Sequence, residues 1–387
     1  MLPLALLASM AMLQEEAPRL RTILPNGPVI LVERMPTAKS VSVQLFASAR
    51  GARDTEETHG MRHLLEHLVL KGKDRKLDLR MESQGLLFTG KTHRDAMQIA
   101  FECPPDALPK ALAALTEILE PIEVTPDEIA REVRIIGEEI ALMPDTMKLS
   151  ATGWSAAYAK AGLDPVGSVS ALSKATPEGL GDLQRRHFQG QNLALVITGP
   201  LELNRTTKLA RDLLKDIDKG EKPEAESRTA GTPGRMETEL AFGEARGAMV
   251  GGFDEPETAW ALCAALATAA KLEEAFVTYT PTVERALIFV GRTSGRSGVG
   301  LLIDDLDEAG EAELFPIGKQ LGRNWVESHL RTPSGVAYLR GMLLCQSPGS
   351  RPETMLEHIV KMEWPDFRKG MELLRKERAA IAVGLGR

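Results

Sequence analysis

Cysteine is scarce. Cys103, Cys263 and Cys345 are the three in 387 residues, far apart and odd in number. They make neither a CxxC pair nor a disulfide framework, so they read as core residues. A concentrated basic run is also missing, and the net charge is −7. That argues against nucleic acid as a partner. Beyond the N-terminus no apolar run is long enough for a transmembrane helix, so no stable membrane span is expected. The N-terminal MLPLALLASMAML is too short to span but matches a signal-peptide h-region, with a small-residue cut after Ala11. No Lys or Arg precedes it. Residues 1–17 therefore read as an export signal or as an apolar arm, which implies a periplasmic or secreted protein in the first case and a cytoplasmic one in the second.

What is present is a globular composition. Hydrophobic residues make up 43% and charged residues 26%, which excludes a disordered chain. The length suggests two domains. Strand patterns occur on both sides of Pro25-Asn26-Gly27, and SVSVQLFASA alternates as a half-buried strand with Val41, Val43, Leu45 and Ala47 inward. TPDEIAREVRIIGEEIAL is a long helix with Thr125 as N-cap, Pro126 at its first position and Glu128 closing a capping box. Residues 218–235 are polar and rich in Gly and Pro, as in a linker. The pattern predicts an α+β fold of two similar αβ domains, each a largely antiparallel sheet packed against helices. The expected boundaries are 18–217 and 236–387, with a final helix around MELLRKERAAIA. GRTSGRSGVG at 291–300 lacks the P-loop ending and reads as a hairpin turn.

Histidine is scarce as well, at seven, yet RHLLEHLVLKG holds two of them one helical turn apart. His63 and His67 fall on one helix face and can bind one Zn²⁺ through nitrogen. Glu66 lies beside them, placed to take a proton from water without being a ligand. Met61, Leu64, Leu65 and Leu68 form a separate apolar stripe that buries the helix. Catalytic zinc keeps three protein ligands, so a third is needed. Glu139 is the candidate, seven residues from Glu132 and so on its face, with Glu132 supporting the site; Glu138 projects away. Taken alone, Glu132 and Glu139 also fit an ordinary charged helix flank. His93 reads as a hydrogen-bonded histidine, and His59 as a residue at the helix start.

LPNGPVILVE, GARDTEETHGMRHLLEHLVLKG and REVRIIGEEI resemble, in this order, the strand, zinc helix and third-ligand helix of the pitrilysin/insulinase family. These are zinc peptidases with an inverted HxxEH motif, an inverzincin group that includes the mitochondrial processing peptidases. The likeness is strong over residues 20–215 and weaker but collinear from 236 onward. It implies a zinc metalloendopeptidase: His63, His67 and Glu139 as metal ligands, Glu66 as the base, Glu132 assisting. Two departures stand out. Thr89-Gly90 replaces the family's common Asn-Ala on the strand bordering the cleft. The family's Arg/Tyr pair in the second half is missing, since Tyr279 has no Arg shortly before it. The resemblance therefore implies a dimer with a related subunit that carries the pair and completes a four-domain clamshell. A non-catalytic scaffolding subunit of the same fold is the other reading.

Overall fold

The computed structural model describes residues 18–49, 51–221, 233–240, 242–283, 285–294 and 298–384. Residues 1–17, where the sequence suggests an export signal or arm, lie outside the described residues, as do 222–232 of the expected linker and 295–297 of the Gly-rich loop.

Eleven strands form two sheets among the described residues: β1 Arg19–Ile23, β2 Val29–Arg34, β3 Val41–Ser48, β4 Leu87–Thr92, β5 Ala96–Cys103, β6 Leu193–Gly199, β7 Arg235–Thr238, β8 Glu244–Val250, β9 Ala275–Tyr279, β10 Ala286–Arg292 and β11 Ala380–Gly384. The first sheet runs β1-β2-β6-β3-β5-β4 and the second β7-β11-β8-β10-β9. One neighbour pair in each sheet is parallel, β2 with β6 and β7 with β11, and the others are antiparallel. The fold is thus α+β, two largely antiparallel sheets packed against helices. No helix of the described residues is long and apolar enough to cross a membrane.

Five helices matter below: α1 Met61–Leu70, α2 Pro126–Ala141, α3 Asp145–Tyr158, α4 Pro177–His187 and α5 Pro333–Gln346. Helix α2 begins as its sequence dictates, with Thr125 accepting from the Glu128 amide and the Glu128 carboxylate returning the bond. Arg75 adds a 2.6 Å ion pair to Glu128. Together these contacts hold the Glu128 carboxyl down at about 2.

Each sheet is covered on its second face by a helix from the other half of the chain. Helix α5 lies on β3 and β6, where Met342 packs with Phe46 and Ala194, and Ala337 with Leu31 and Val196. Helix α3 lies on the second sheet, where Leu149, Trp154 and Tyr158 pack with Leu287, Phe289 and Ala380. Both contacts use a glycine over an aromatic ring. A Cβ at Gly341 would overlap Phe46, and one at Gly153 would overlap Phe289. The β3 expectation changes accordingly. Its alternation predicts one solvated face, but Ser42, Gln44 and Phe46 are as buried as Val41, Val43 and Leu45, because α5 covers them. That face carries polar groups, and they are satisfied across the contact. Gln44 Nε2 donates to the Ser334 carbonyl (3.1 Å) and Thr198 Oγ1 to the Pro333 carbonyl (2.7 Å). Arg340 Nε donates to Glu33 Oε2 (2.9 Å) and its NH1 to Glu353 Oε2 (2.8 Å).

Two element expectations are corrected. The final helix ends at Leu374. The end of its expected span, Ala380 to Ala382, instead belongs to β11, a strand inserted between β7 and β8, where pairing overrides helical propensity. The stretch after β10 leads into a short helix, Val299–Asp304, and not into a hairpin partner.

Candidate functional site

The chemistry-bearing side chains stand on α1 and α2. Helix α1 buries Leu64, Leu65 and Leu68 in the first core, as its stripe predicts, and turns His63 and His67 toward α2. Their rings meet edge to face with centroids 4.7 Å apart. Helix α2 buries Ile129, Val133 and Ile136, which fixes the rotation that brings Glu132 and Glu139 to the histidines. Glu138 is exposed.

Glu139 Oε2 lies 3.6 Å from His63 Nε2 and 3.6 Å from His67 Nε2. The three ligand atoms all lie within 4.8 Å of one another. A tetrahedral cation with bonds near 2.1 Å sets its ligand atoms about 3.4 Å apart, so this donor set fits a small divalent metal. The outer nitrogens are also engaged. His67 Nδ1 is 3.2 Å from Glu132 Oε2, and His63 Nδ1 is 3.4 Å from the Val166 carbonyl oxygen. With the proton on Nδ1 in each ring, donation to these acceptors leaves both Nε2 lone pairs facing Glu139.

The Val166 contact depends on two glycines. Gly60, the N-cap of α1, and Gly167 both have positive φ, 91° and 87°, and approach backbone to backbone. A Cβ at Gly60 would fall 2.6 Å from the Gly167 Cα. Only residues without Cβ permit this approach. Arg94 fixes the same loop, donating to the Leu163 carbonyl (2.9 Å) and to Asp164 (3.2 Å), with its guanidinium 4.2 Å from the Trp154 ring centre.

Glu66 is buried. Burial pushes its carboxyl up to about 7, against the lowering effects of the Thr92 hydrogen bond and the His67 charge. Thr92 Oγ1 donates to Glu66 Oε2 at 2.5 Å. Gly90 makes room for this carboxylate, since a Cβ there would lie 2.6 Å from Glu66 Oε1. The Thr89-Gly90 departure therefore sits directly against the base candidate, on edge strand β4. Burial and the His67 charge lower the His63 pKa. Burial also acts to lower that of His67, but the Glu132 hydrogen bond and the Glu139 and Glu66 charges outweigh it and raise it. Glu132 is lowered chiefly by its bond to His67.

The sequence picks out His63, Glu66, His67, Glu132 and Glu139, and the structure brings all five together. It does not point to Thr92 or the Val166 carbonyl, and it marks Gly90 only as a departure on the cleft strand, with no link to Glu66. DPVGSV belongs to the family-like stretch but suggests no role, and a backbone acceptor leaves no side-chain signature. His93 lies outside the cluster, buried and hydrogen-bonded to Gln98 at 2.8 Å. His59 precedes the α1 N-cap, its Nδ1 3.2 Å from the Thr55 carbonyl. Tyr279 packs against Phe253 and Trp325, and its hydroxyl is buried with no partner among the described residues.

Residues 29–163 match the model of the insulinase family, peptidase family M16. A probable mitochondrial-processing peptidase subunit beta of Schizosaccharomyces pombe is 24% identical over 236 residues, 58% of this chain and 50% of that protein. A Rickettsia felis protein described as an uncharacterized zinc protease is 25% identical over 207 residues, 51% of this chain and 50% of that one. This chain thus spans about half the length of the curated relatives it matches. In fold it resembles a protease from Helicobacter pylori, with a TM-score of 0.79, 15% identity, and 95% and 99% of the two chains covered. The matched segment holds β2 through α3, with α1, the edge strand β4 and α2 inside it, so the likeness to the insulinase family, peptidase family M16, falls on the elements that carry the candidate site.

Proposed function

We propose that this chain is a zinc-dependent endopeptidase that hydrolyses peptides or unfolded segments. The observation that carries the reading is the convergence of His63 Nε2, His67 Nε2 and Glu139 Oε2 beside the buried Glu66 carboxyl. A zinc ion supplies Lewis acidity that polarises the scissile carbonyl and makes water a nucleophile near neutral pH. Glu66 accepts the proton of the attacking water and returns it to the leaving amine, a shuttle suited to a group poised near 7. Thr92 holds the Glu66 carboxylate in one orientation. Glu132 keeps His67 in its ligating tautomer. The free edge of β4 beside α1 offers backbone groups to an extended peptide, a mode that tolerates varied side chains.

The Glu66→Gln variant removes the base and no ligand. It should keep its zinc and lose about 10²–10⁴-fold in peptide hydrolysis. Near-wild-type turnover would overturn the mechanism.

A second reading is favoured by Tyr279, whose buried hydroxyl gives nothing to a cleft. On that reading the chain is a non-catalytic subunit. The same observation fits a catalytic half whose related partner carries the Arg/Tyr pair, and the subunit description of the S. pombe relative is consistent with it. In this arrangement residues 18–217 supply the metal ligands and residues 236–387, beyond the linker, help to close over the substrate. Full peptidase activity from a monodisperse monomer would refute the need for a partner, and full activity from a homodimer would refute a heteromeric one.

A further inference from the structure

The two histidines of the site are held in different ways. His67 Nδ1 meets the Glu132 carboxylate, which stands on α2, whereas His63 Nδ1 meets the backbone carbonyl of Val166. Val166 belongs to no helix or strand and lies in the loop that follows α3. Helix α1 itself is packed against α2, α4 and β4, so the His63 backbone is placed without help from this loop. What the loop can set is the partner of the ring. A carbonyl orients an imidazole only as well as its own peptide is held.

The loop is tied in series. Arg94, in the turn between β4 and β5, donates from NH1 to the Gly162 (3.2 Å) and Leu163 (2.9 Å) carbonyls and from NH2 to Asp164 Oδ2 (3.2 Å). The other carboxylate oxygen, Asp164 Oδ1, accepts the Val166 amide at 3.1 Å. The Asp164 carbonyl accepts the Gly167 amide at 3.1 Å. One guanidinium thus grips three consecutive residues, and Asp164 passes that grip to the residue whose carbonyl faces His63. A planar fork of donors fixes direction as well as distance. The grip also has a firm backing. The Arg94 guanidinium lies over the Trp154 ring, 4.2 Å from its centre, and the two residues are 7% and 5% exposed. Trp154 is packed in turn with Leu287 and Phe289 of the second sheet. A close-packed support of this kind transmits strain and does not absorb it.

We propose that Arg94 is a positioning residue of the metal centre. Through Asp164 it sets the Val166 carbonyl, so that His63 keeps its proton on Nδ1 and turns a free Nε2 lone pair toward Glu139. The inference rests on the metal-site reading above. Which imidazole nitrogen keeps the proton is set by the hydrogen bond the ring makes. Without a fixed acceptor the proton is shared between Nδ1 and Nε2, and the form protonated on Nε2 has no lone pair to give there. His67 should be indifferent to Arg94, because its acceptor is Glu132.

The test reads the ring nitrogens directly, by nitrogen-15 NMR of the metal-free, histidine-labelled chain at alkaline pH, where both rings are neutral. The wild type should show the proton on Nδ1 in His63 and His67. Arg94→Gln and Asp164→Ala should each move His63 toward the Nε2–H form and leave His67 as it was. In both variants zinc affinity, read by competition with a chelator, should fall about 10–100-fold, the scale for losing an outer partner of a ligand. Should Arg94→Gln fail to fold, Asp164→Ala carries the test, since its side chain is 28% exposed and stands on a loop. An unchanged His63 in either folded variant would overturn the proposal. So would equal shifts in both histidines, the mark of a general loosening. A wild-type chain that binds no zinc would sink the metal reading, and the tautomers of the metal-free protein would still decide what Arg94 does.

Discussion

Glu138 and Glu139 are chemically identical neighbours, and helix rotation separates them. Both side chains are exposed, but Glu139 lies 3.6 Å from both Nε2 atoms, and Glu138, one residue earlier, projects about 100° away around α2. Glu139→Gln should lower zinc affinity by more than about 100-fold, the upper range for losing an outer partner. Glu138→Gln should leave it unchanged. Metal analysis of the two purified variants in the reverse order would move the ligand to Glu138. His93 supports a prediction about stability. Burial pushes its pKa down to about 4, so the folded chain refuses a proton that the unfolded chain accepts below about 6.5. Between those values the unfolded state binds more protons, and stability must fall as pH falls. The loss from this residue should reach about 2 kcal/mol by pH 5. Denaturant unfolding of wild type and His93→Gln at pH 7 and pH 5 checks it: the variant should lose that much less between the two values. At this scale the five site residues were legible because helical spacing is local, and their common face follows from 3.6 residues per turn. The union of α1 and α2 was not local: 72 positions separate His67 from Glu139, and the family resemblance, not periodicity, joined them. The Val166 carbonyl and the Gly60–Gly167 contact had no residue pattern from which to be read.

The elements divide the same way. Thr125, Pro126 and Glu128 announce the start of α2, because a cap is made by residues three apart. The double burial of β3 is invisible in its own sequence, because its cover, α5, comes about 290 residues later. β11 also misleads, as a strand whose partners come from 130 or more residues earlier in the chain. The helix-on-sheet contacts leave no spare volume at Gly341 and Gly153, so both are predicted to be intolerant positions. Gly341→Ala and Gly153→Ala should each cost about 1–3 kcal/mol by overpacking against Phe46 and Phe289. Gly349 is the control, since nothing lies within 4 Å of an added Cβ there, and its change to Ala should stay within about 0.5 kcal/mol. Thermal or denaturant melts of the three variants decide the matter. Equal stability of all three would mean that the contacts yield more than close packing allows.

For the whole molecule, the exchange of helices decides which pieces can stand alone. A cut within residues 222–232 follows the composition, yet it separates each sheet from one of its covers. The N-terminal piece would expose Leu31, Phe46, Ala194 and Val196, which α5 now buries. It would also strand Glu33, which is 4% exposed and whose carboxylate pairs with Arg340. A buried charge that loses its partner costs about 3–5 kcal/mol, and the apolar face adds to that. The C-terminal piece would lose α3 from over Leu287, Phe289 and Ala380. Total domain stability is usually only about 5–15 kcal/mol. Residues 18–221 expressed alone should therefore fail to give a monodisperse monomer with a dispersed amide spectrum, and the two pieces expressed together should recover one. Sizing and spectra of each piece and of the pair make the measurement. A stable, cooperatively unfolding 18–221 monomer would show that α5 merely rests on a sheet already complete. Failure of the lone piece with recovery of the pair would show that the metal ligands on α1 and α2 depend on a core the second half helps to build.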